Sequence, residues 1–555
     1  MELERASLLL RSLWTLVWFS IVVVGTNTYG SWAIWSGFNI VGPLITFMGV
    51  VGIIGVWVVP ARHYAVFEMT SFCSAILAVL LSDGPILATS HSFSTDAAAF
   101  NQRATELFVR GANPYAATFN AGHLLLSHAS DYWTYTLGGG FVDKLSYPAG
   151  SFLFQAPLQL LGVRHLTTNW IDLFAWIVAA SILYRISPWY AKWLSPFLVL
   201  ASLFTYMFAF GGTDALFVPF MMLAALRWDS FVEPNAARWT RWLGPVSLGI
   251  ACSIKQTPWF TVPFFVVGIA LEAHHHDVPV TRSVARYCAL VAAPFFAMNL
   301  PFIIWSPRDW FHGILLPMKQ PLIPDGQGLV SLVTHGLLHV VHPFDLQIAS
   351  LLCMMALLTA FYFWYPVLKR PWMFTIPLIL FVPSRSLSSY LVDFIPAAFV
   401  MVLTTTRIPH EVVVRGSALL RRSLVAIPLV VAGAMIVIGF SDAPVNVHID
   451  RFGSSVGNEY MKDLTLTLTN ETNTALVPHV MVIVGSGHPV GFWNVVSGSK
   501  RITLQPHSHL TVSFRPPKYM KAPAYGENWL VEVLTKSPGA MTTTSSYSWP
   551  YGRSD

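Results

Sequence analysis

A chain of 555 residues would ordinarily form several soluble domains, but here hydrophobic residues make up 54% of the sequence and charged residues only 11%. Soluble domains carry about 25% charged residues, so this composition excludes a soluble enzyme and a disordered or fibrous protein. Apolar runs of about 18 residues or more, long enough to cross a bilayer core, recur as far as residue 440 and predict a polytopic α-helical membrane protein. The net charge of +6 is modest and no basic tail is present, so nucleic-acid binding is not expected.

The positions of basic residues predict how the apolar segments cross the membrane. Three segments open the chain, at about 12–30, 36–59 and 64–90. Lys and Arg near crossings mark the cytoplasmic side, which predicts a cytoplasmic N-terminus, outer loops at 91–147 and 305–345, and an outer C-terminal region. The four apolar segments between residues 148 and 228 must supply an odd number of crossings, so either one is re-entrant or two together form a broken crossing. The total is about 13 crossings.

A further apolar run, 242–271, is interrupted by Lys255 and, three residues later, by Pro258. Proline removes a helical hydrogen bond and clashes with the preceding turn. A lone lysine inside a bilayer is costly, and such residues usually serve a function. The run is therefore predicted to form two short helices that meet near Lys255.

The sequence pattern changes at about residue 445. Leucine and threonine alternate from Leu464 to Thr469. Further apolar runs lie at 476–484, 502–514 and 529–534, separated by Gly, Pro, Asn and Ser. A period of two with frequent turn residues predicts strands. Residues 445–555 are therefore predicted to form an extracytoplasmic all-β, immunoglobulin-like sandwich domain, which follows a transmembrane domain at 1–440.

The segment after the third crossing predicts a helix along the membrane surface. Ser94 or Thr95 can cap its start, and Gly111 can supply the left-handed residue that ends it. Asp96 opens this helix on the predicted outer side of the membrane. A carboxylate in the first turn also stabilises the helix dipole without any catalytic role, so position alone leaves the role of Asp96 open.

Several short motifs follow one another between about residues 65 and 400. They are Asp96 opening a helix after a crossing, Gly111-x-Asn113-Pro114-Tyr115, Tyr147-Pro148, Gly212-x-Asp214 and Lys255-x-x-Pro258. In this order they resemble the GT-C superfamily of integral-membrane glycosyltransferases, and most closely the bacterial mannosyltransferase-like members that use polyprenyl-phosphate sugars. The chain departs from that pattern in two additional early crossings, in an acidic residue that stands alone instead of in a pair, and in the added β-domain.

The resemblance implies an inverting glycosyltransferase in a prokaryotic plasma membrane. It would move a sugar, a hexose such as mannose, from a polyprenyl-phosphate donor to a glycolipid, envelope-glycan or protein acceptor on the outer face. Asp96 would be the general base. Cationic side chains would stabilise the leaving phosphate, and a divalent metal is not required. The candidate phosphate ligands are Lys255, Arg385, Arg308, His312 and Lys319. The candidate substrate contacts are Arg103, Asn113, Tyr115, Asp131, Tyr147 and Asp214.

Other interpretations of these residues stay open. Asp131 and Asp143 are alternative bases. The candidate phosphate ligands could instead be boundary Lys and Arg side chains that extend toward the membrane interface without binding a ligand. Trp310 is expected to anchor its loop at the headgroup level. The spacing of His335, His339 and His342 would let them share a helix face and bind a metal, or form plain polar surface.

Two other functional classes fit a polytopic chain. A transporter or lipid flippase would explain the buried Lys255, although two matching halves with broken helices are not evident in the sequence. A non-catalytic scaffold that displays the β-domain would leave Asp96 without a role, because a sandwich alone does not indicate a function.

Overall fold

The computed structural model describes most of the chain. The residues outside this description are 1–3, 5, 33–39, 90–92, 94, 120–132, 164–165, 202–212, 320–321, 407–416, 455–459, 486–490, 497–501, 518–521, 525 and 549–555. Helices form the described part of the chain up to Gly439, apart from a few two-residue strands, and strands follow from Val445. This division agrees with the change of sequence pattern near residue 445.

Seven helices within the described residues are long and apolar enough to cross a membrane. They are Leu8–Trp32, Val41–Val58, Tyr64–Thr89, Thr167–Ile186, Val280–Trp305, Pro343–Phe363 and Ala418–Gly439. Shorter apolar helical stretches are Ala215–Ala225, Trp372–Phe381 and Ser388–Thr404. The chain is thus a helical, membrane-embedded protein, as its composition predicts, and the count of about 13 crossings stays a prediction.

The remaining helices are short. The α-helices are Asp96–Val109, Gly150–Leu153, Ala156–Leu160, Leu194–Leu200, Val218–Ala225, Thr240–Ile254, Val262–His275, Pro307–Ile314, Leu316–Lys319, Ser331–Thr334, Tyr365–Leu368, Ile376–Phe381, Ser388–Val392 and Ile395–Thr404. The 3-10 turns are Ala61–His63, Trp189–Ala191, Ala215–Phe217, Trp228–Phe231, Thr257–Thr261 and Trp372–Thr375. Among the four segments between residues 148 and 228, only Thr167–Ile186 forms a described helix long enough to span a bilayer, so the re-entrant or broken segment stays a prediction.

The run 242–271 is broken at the predicted place. Helix Thr240–Ile254 ends where Lys255 takes an extended backbone conformation, with φ −147° and ψ 158°. A 3-10 turn, Thr257–Thr261, contains Pro258 and leads into helix Val262–His275. The prediction of two short helices that meet near Lys255 is confirmed.

The strands after Val445 form two sheets that share one core. The first sheet is antiparallel, in the order Val445–Ser454, Met461–Asn470, His509–Arg515 and Asn494–Val495. In the second sheet, Asn528–Lys536 pairs with His479–Val484, Gly539–Thr543 and Tyr547–Ser548. Leu464, Leu466 and Leu468 of the first sheet pack in one buried cluster with Val531 and Val533 of the second. This shared core makes the C-terminal region a sandwich, as the alternating pattern predicts.

The second sheet continues into the loop 305–345. Strand Val340–Val341 pairs antiparallel with Gly539–Thr543, so that Val341 lies opposite Met541. The backbone N–H of Thr543 also donates to the carbonyl of His339 at 2.8 Å. The sequence pattern did not indicate this strand, because two valines in a loop carry no periodicity. The β-domain is therefore hydrogen-bonded to the helical part of the chain.

A buried network of charges joins three segments near the C-terminal end of helix Val262–His275. Lys255 lies beyond the opposite end of this helix. The Lys369 Nζ atom lies 3.0 Å from Asp229 and 2.9 Å from Glu272, and the Tyr365 hydroxyl donates to Glu272 at 2.6 Å. Buried charges are tolerated only when they are paired in this way. The basic-residue pattern predicts that these segments share the cytoplasmic side of the membrane.

Candidate functional site

Asp96 opens the helix that the sequence predicts. The helix runs over Asp96–Val109, and the Thr95 hydroxyl accepts the backbone N–H of Ala98 at 3.3 Å. Gly111 follows with φ +77°, a left-handed conformation that favours glycine. The predicted cap and stop are both confirmed for Thr95 and Gly111, while Ser94 lies outside the described residues.

The carboxylate of Asp96 is buried and belongs to a chain of hydrogen bonds. Its Oδ2 atom accepts the backbone N–H of Thr134 at 2.7 Å, and the Thr134 hydroxyl accepts from Nη2 of Arg385 at 3.1 Å. Burial raises the pKa of Asp96 above that of an ordinary aspartate, and the Thr134 N–H and the Arg385 guanidinium partly offset this rise. Asp96 therefore holds a proton more tightly than an exposed first-turn acid would, which suits a general base.

Arg385 is held in place by a short pair of strands. Asp325–Gly326 pairs in parallel with Arg385–Ser386, and the N–H of Asp325 donates to the Ser384 carbonyl at 2.9 Å. Gly326 has φ +120° and its backbone lies directly against Ser386, so a side chain there would be strained. This pairing brings the loop 305–345 to the turn that carries Arg385.

Lys255 lies buried at the break between its two helices. Its ammonium forms an ion pair with Asp214, and its Nζ atom lies 5.0 Å from the centre of the Tyr390 ring and 5.9 Å from that of Tyr147. Two further buried acids, Asp172 and Asp393, interact electrostatically with it. Three carboxyl groups thus act on one buried lysine, an arrangement that makes this break a candidate functional site.

Tyr147 connects the Asp96 group with the Lys255 group. Burial raises the pKa of the Tyr147 hydroxyl, and the charges of both Asp96 and Arg385 act on it. The same ring lies beside the ammonium of Lys255. We call the set Asp96, Thr134, Tyr147, Lys255, Asp214, Arg385 and Tyr390 the buried site. The sequence analysis named five of these seven residues, from four separate segments.

Thr134 and Tyr390 were missed, as were the neighbouring acids Asp172 and Asp393. The acids carried a usable signal, because each lies within or beside an apolar segment, where a carboxyl group is costly. Thr134 carried none. Its contribution comes from its backbone N–H and its hydroxyl, and both depend on the path of the chain around it.

A small polar cavity lies next to the buried site. Its lining consists of Asn101, Ser151, Gln155, Thr168, Ile171, Asp172, Thr213, Leu216 and Ile254. Oδ1 of Asn101 and Oδ2 of Asp172 have no hydrogen-bond partner within the described part of the chain. Buried polar atoms normally bind a polar group or a water molecule, so this cavity offers room for one beside Asp172.

Asn113 and Tyr115 hold the backbone next to the buried site in place. Oδ1 of Asn113 accepts the N–H of Tyr115 at 3.1 Å, which closes a turn. The Tyr115 hydroxyl donates to the carbonyl of Tyr147 at 2.8 Å, and its ring packs near those of Phe302 and Trp310. These contacts hold the backbone at Tyr147, whereas direct substrate contacts of the two residues stay a prediction.

Three of the predicted ligands lie apart from the buried site. Arg308 and His312 are exposed on helix Pro307–Ile314, whose inner face buries Trp310. Arg103 forms an ion pair with Glu106 at 2.7 Å. No hydrogen bond or ion pair among the described residues joins any of the three to the site. The expected anchoring of Trp310 at the headgroups is wrong, because its indole N–H donates to Asn299 inside the protein at 3.3 Å.

Other predicted residues have different outcomes. Asp131 and the side chain of Lys319 lie outside the described residues. Asp143 is partly exposed, and its backbone carbonyl accepts the N–H of Phe119 at 2.8 Å. Its possible role as a base stays a prediction, since no described contact joins its carboxylate to the buried site.

The three histidines do not share a helix face, so the arrangement on which the metal-binding alternative depended is not formed. Helix Ser331–Thr334 ends before His335, His339 precedes the strand at Val340, and His342 precedes the next helix at Pro343. The chain turns between them at Gly336, which has φ +71°. Over the described ranges, no group of three or more His, Cys, Asp or Glu side chains is arranged to hold a metal ion.

Comparison with known proteins adds little to this geometry. No protein-family model matches the chain, and no curated protein matches it. Among solved structures, a chain of the archaeal flagellum of Methanospirillum hungatei strain JF1 is similar over 24% of this chain and 93% of its own length, with 17% identity and a TM-score of 0.17. A similarity of that size carries no argument about fold or function.

Proposed function

We propose that this protein is an inverting glycosyltransferase that uses a polyprenyl-phosphate sugar. The observation that carries the proposal is the buried carboxylate of Asp96, linked through Thr134 to Arg385. Lys255 supplies a second cation beside the same tyrosine. A base and two cations assembled from distant segments next to membrane helices are what transfer from a lipid phosphate requires.

The proposed reaction is a single displacement at the anomeric carbon. The acceptor hydroxyl gives its proton to the Asp96 carboxylate while its oxygen forms a bond to the anomeric carbon. The bond from that carbon to the phosphate oxygen breaks on the opposite face, and the electron pair leaves with the polyprenyl phosphate. Arg385 and Lys255 stabilise the developing phosphate charge, so no metal is needed. The configuration at the anomeric carbon is inverted.

The location of the reaction is part of the proposal. The buried site lies close to the β-domain, because Tyr135, which follows Thr134, packs against Phe492, and we assign this side to the outer face of a prokaryotic plasma membrane. About 13 crossings would then leave the N-terminus in the cytoplasm and the β-domain outside. The donor sugar is a hexose such as mannose, and the acceptor is a glycolipid, an envelope glycan or a protein.

The test measures release of free polyprenyl phosphate. Purified protein is incubated with a panel of polyprenyl-phosphate sugars and membrane lipid extract, as wild type and as Asp96→Asn. The substitution keeps the size of the side chain and removes the base, so release is expected to fall by about 10²-fold or more. Asp277→Asn is the matched control, because Asp277 is exposed and has a left-handed backbone that asparagine tolerates.

The outcomes separate the functional classes. Release by wild type and by the control, but not by Asp96→Asn, supports transfer with Asp96 as the base. Equal release from all three keeps the enzyme and moves the base to Asp131 or Asp143. No release by folded wild type with every donor and acceptor would refute the proposal in favour of transport or a scaffold.

One observation favours transport as a second candidate. Asp172, Asp214 and Asp393 surround Lys255 inside the helical region, and clusters of this kind also line the paths of ions and substrates. Vesicles reconstituted with wild type and Lys255→Met would test this. The transport alternative would be established if a fluorescent polyprenyl-phosphate lipid moves between leaflets with wild type but not with Lys255→Met, and if no free polyprenyl phosphate is released.

A further inference from the structure

One strand of the β-domain turns a carboxyl group toward the helical part of the chain. In Asn528–Lys536, the side chains of Val531 and Val533 belong to the core of the sandwich. The alternating position Leu534 instead packs with Met481 and Met541 in the buried cluster of the helical part. Glu532 lies on the same face of the strand as Leu534, since successive residues of a strand point to opposite faces.

Glu532 is fully buried, and neither of its carboxyl oxygens has a hydrogen-bond partner within the described part of the chain. An unpaired carboxyl group inside a protein is costly, and most buried polar atoms are satisfied. On this face Leu530, Leu534 and the opposite Met481 are apolar and only the opposite Thr543 is polar, so a leucine would fit the pattern better. The position therefore carries a cost in stability that packing does not explain.

A charged residue that acts on Glu532 belongs to the strand pair that supports the buried site. Burial raises the pKa of Glu532 to about 8, and the charge of the Asp325 carboxylate contributes to this rise. Asp325 lies opposite Arg385 in the short parallel strand pair. On the same seam, Tyr135, which follows Thr134, packs against Phe492 of the β-domain with ring centres 5.3 Å apart.

We propose that Glu532 is a ligand for the carbohydrate acceptor, which the β-domain contributes to the transfer site. This inference rests on the proposed function and names the acceptor as a neutral glycan. The acceptor enters as the seam between the β-domain and residues 322–326 opens, and the Glu532 carboxyl binds one of its hydroxyl groups.

The chemistry of the seam separates the acceptor from the donor. The Asp325 carboxylate beside Glu532 repels a phosphate, whereas the cations Lys255 and Arg385 attract it, so the donor phosphate belongs on the side of the cations. A protonated carboxyl both donates and accepts hydrogen bonds, which matches the hydroxyl groups of a sugar. The donor lipid comes from the membrane, whereas the β-domain contacts Tyr135, the residue after Thr134.

The experiment compares glycan affinity with thermal stability in the full chain in detergent. The probes are fluorescent neutral oligosaccharides of mannose, glucose, galactose and arabinose, and the variants are Glu532→Leu and Glu532→Gln. Glu532→Leu should lower the affinity for the bound glycan by about tenfold or more, while Tm stays equal or rises because an unpaired buried carboxyl is removed. Glu532→Gln, which still donates and accepts, should retain most of the affinity.

The same substitution at an exposed position of the β-domain, Glu471→Leu, is the control and should leave both quantities unchanged. Absence of glycan binding to wild type, or unchanged affinity in Glu532→Leu, would overturn the inference. A fall in Tm with unchanged affinity would instead assign Glu532 to holding the two parts together. Release of polyprenyl phosphate is measured in parallel. If release is intact but glycan binding does not depend on Glu532, this inference alone is refuted. If glycan binding depends on Glu532 but no polyprenyl phosphate is released, the transfer reaction alone is refuted.

Discussion

The carboxyl group of Asp96 has two effects that depend on its surroundings. As the first residue of a helix it lies near the positive end of the helix dipole. Because it is also buried, its pKa is raised, and the guanidinium of Arg385 limits that rise. A base of raised pKa accepts a proton more readily from a sugar hydroxyl, whereas one that is already protonated cannot act. Arg385 therefore sets the lower limit of the pH range in which Asp96 works.

This balance predicts the pH profile of the proposed reaction. Release of polyprenyl phosphate should increase as the pH rises through the pKa of Asp96. Arg385→Gln removes the charge that lowers this pKa, so the acidic limb should move to higher pH, in addition to any loss of maximal rate. Arg62→Gln, at an exposed arginine of another segment, is the control. An acidic limb that stays in place or moves to lower pH would show that Asp96 is not the group that titrates.

The raised pKa of Glu532 predicts a second pH effect, on stability. The folded state holds this proton up to a pKa of about 8, while an exposed glutamate loses it near 4.5. Between these values the folded state binds more protons than the unfolded state, so stability falls as the pH rises, by at most about 1.4 kcal/mol per pH unit. Thermal unfolding from pH 5 to 8 should show a smaller decrease in Tm for Glu532→Gln than for wild type. Parallel decreases would contradict this prediction.

At the scale of elements, the break at Lys255 was the feature best predicted from sequence. A proline and a lysine within an apolar run have only a few stable arrangements, and the run does form two helices that meet there. The surroundings of Lys255 were harder to predict from the sequence. Asp214 was named from its motif, but its ion pair with Lys255 depends on how the helices pack, which local sequence does not encode.

The ion pair at this break predicts a specific pattern of stability and activity. Lys255→Met leaves the buried Asp214 carboxylate without its partner, which should cost about 3–5 kcal/mol. The double variant Lys255→Met with Asp214→Leu should recover only part of that stability, because Asp172 and Asp393 still lack the ammonium group, and it should fail to bind polyprenyl phosphate because the cation is missing. Scanning fluorimetry and a binding assay with polyprenyl phosphate measure both effects. Recovery of binding in the double variant would exclude Lys255 as a phosphate ligand.

At the scale of the whole molecule, two sets of contacts each join several segments. The basic-residue pattern predicts that one set lies on the cytoplasmic side of the membrane and the other on the outer side. Lys369, Asp229 and Glu272 form one set, and Asp96, Thr134 and Arg385 form the other. Composition and the spacing of apolar runs predict this helical frame well, since both follow from burial in lipid. The joining of the β-domain to the loop 305–345 was not predictable, because it rests on the short strand Val340–Val341.

This short strand predicts that the β-domain and the loop move as one unit. The side chain of Val341 is fully buried opposite Met541, so Val341→Asp would place an unpaired charge in the interface. Hydrogen exchange of backbone amides should then become faster at 338–342 and at 539–543 together. The sheet that contains Leu464, Leu466 and Leu468 should keep its slow exchange, because its core lies within the sandwich. Faster exchange at 338–342 alone would show that the two parts are held by other contacts, and Val341→Ile serves as the control that keeps the interface apolar.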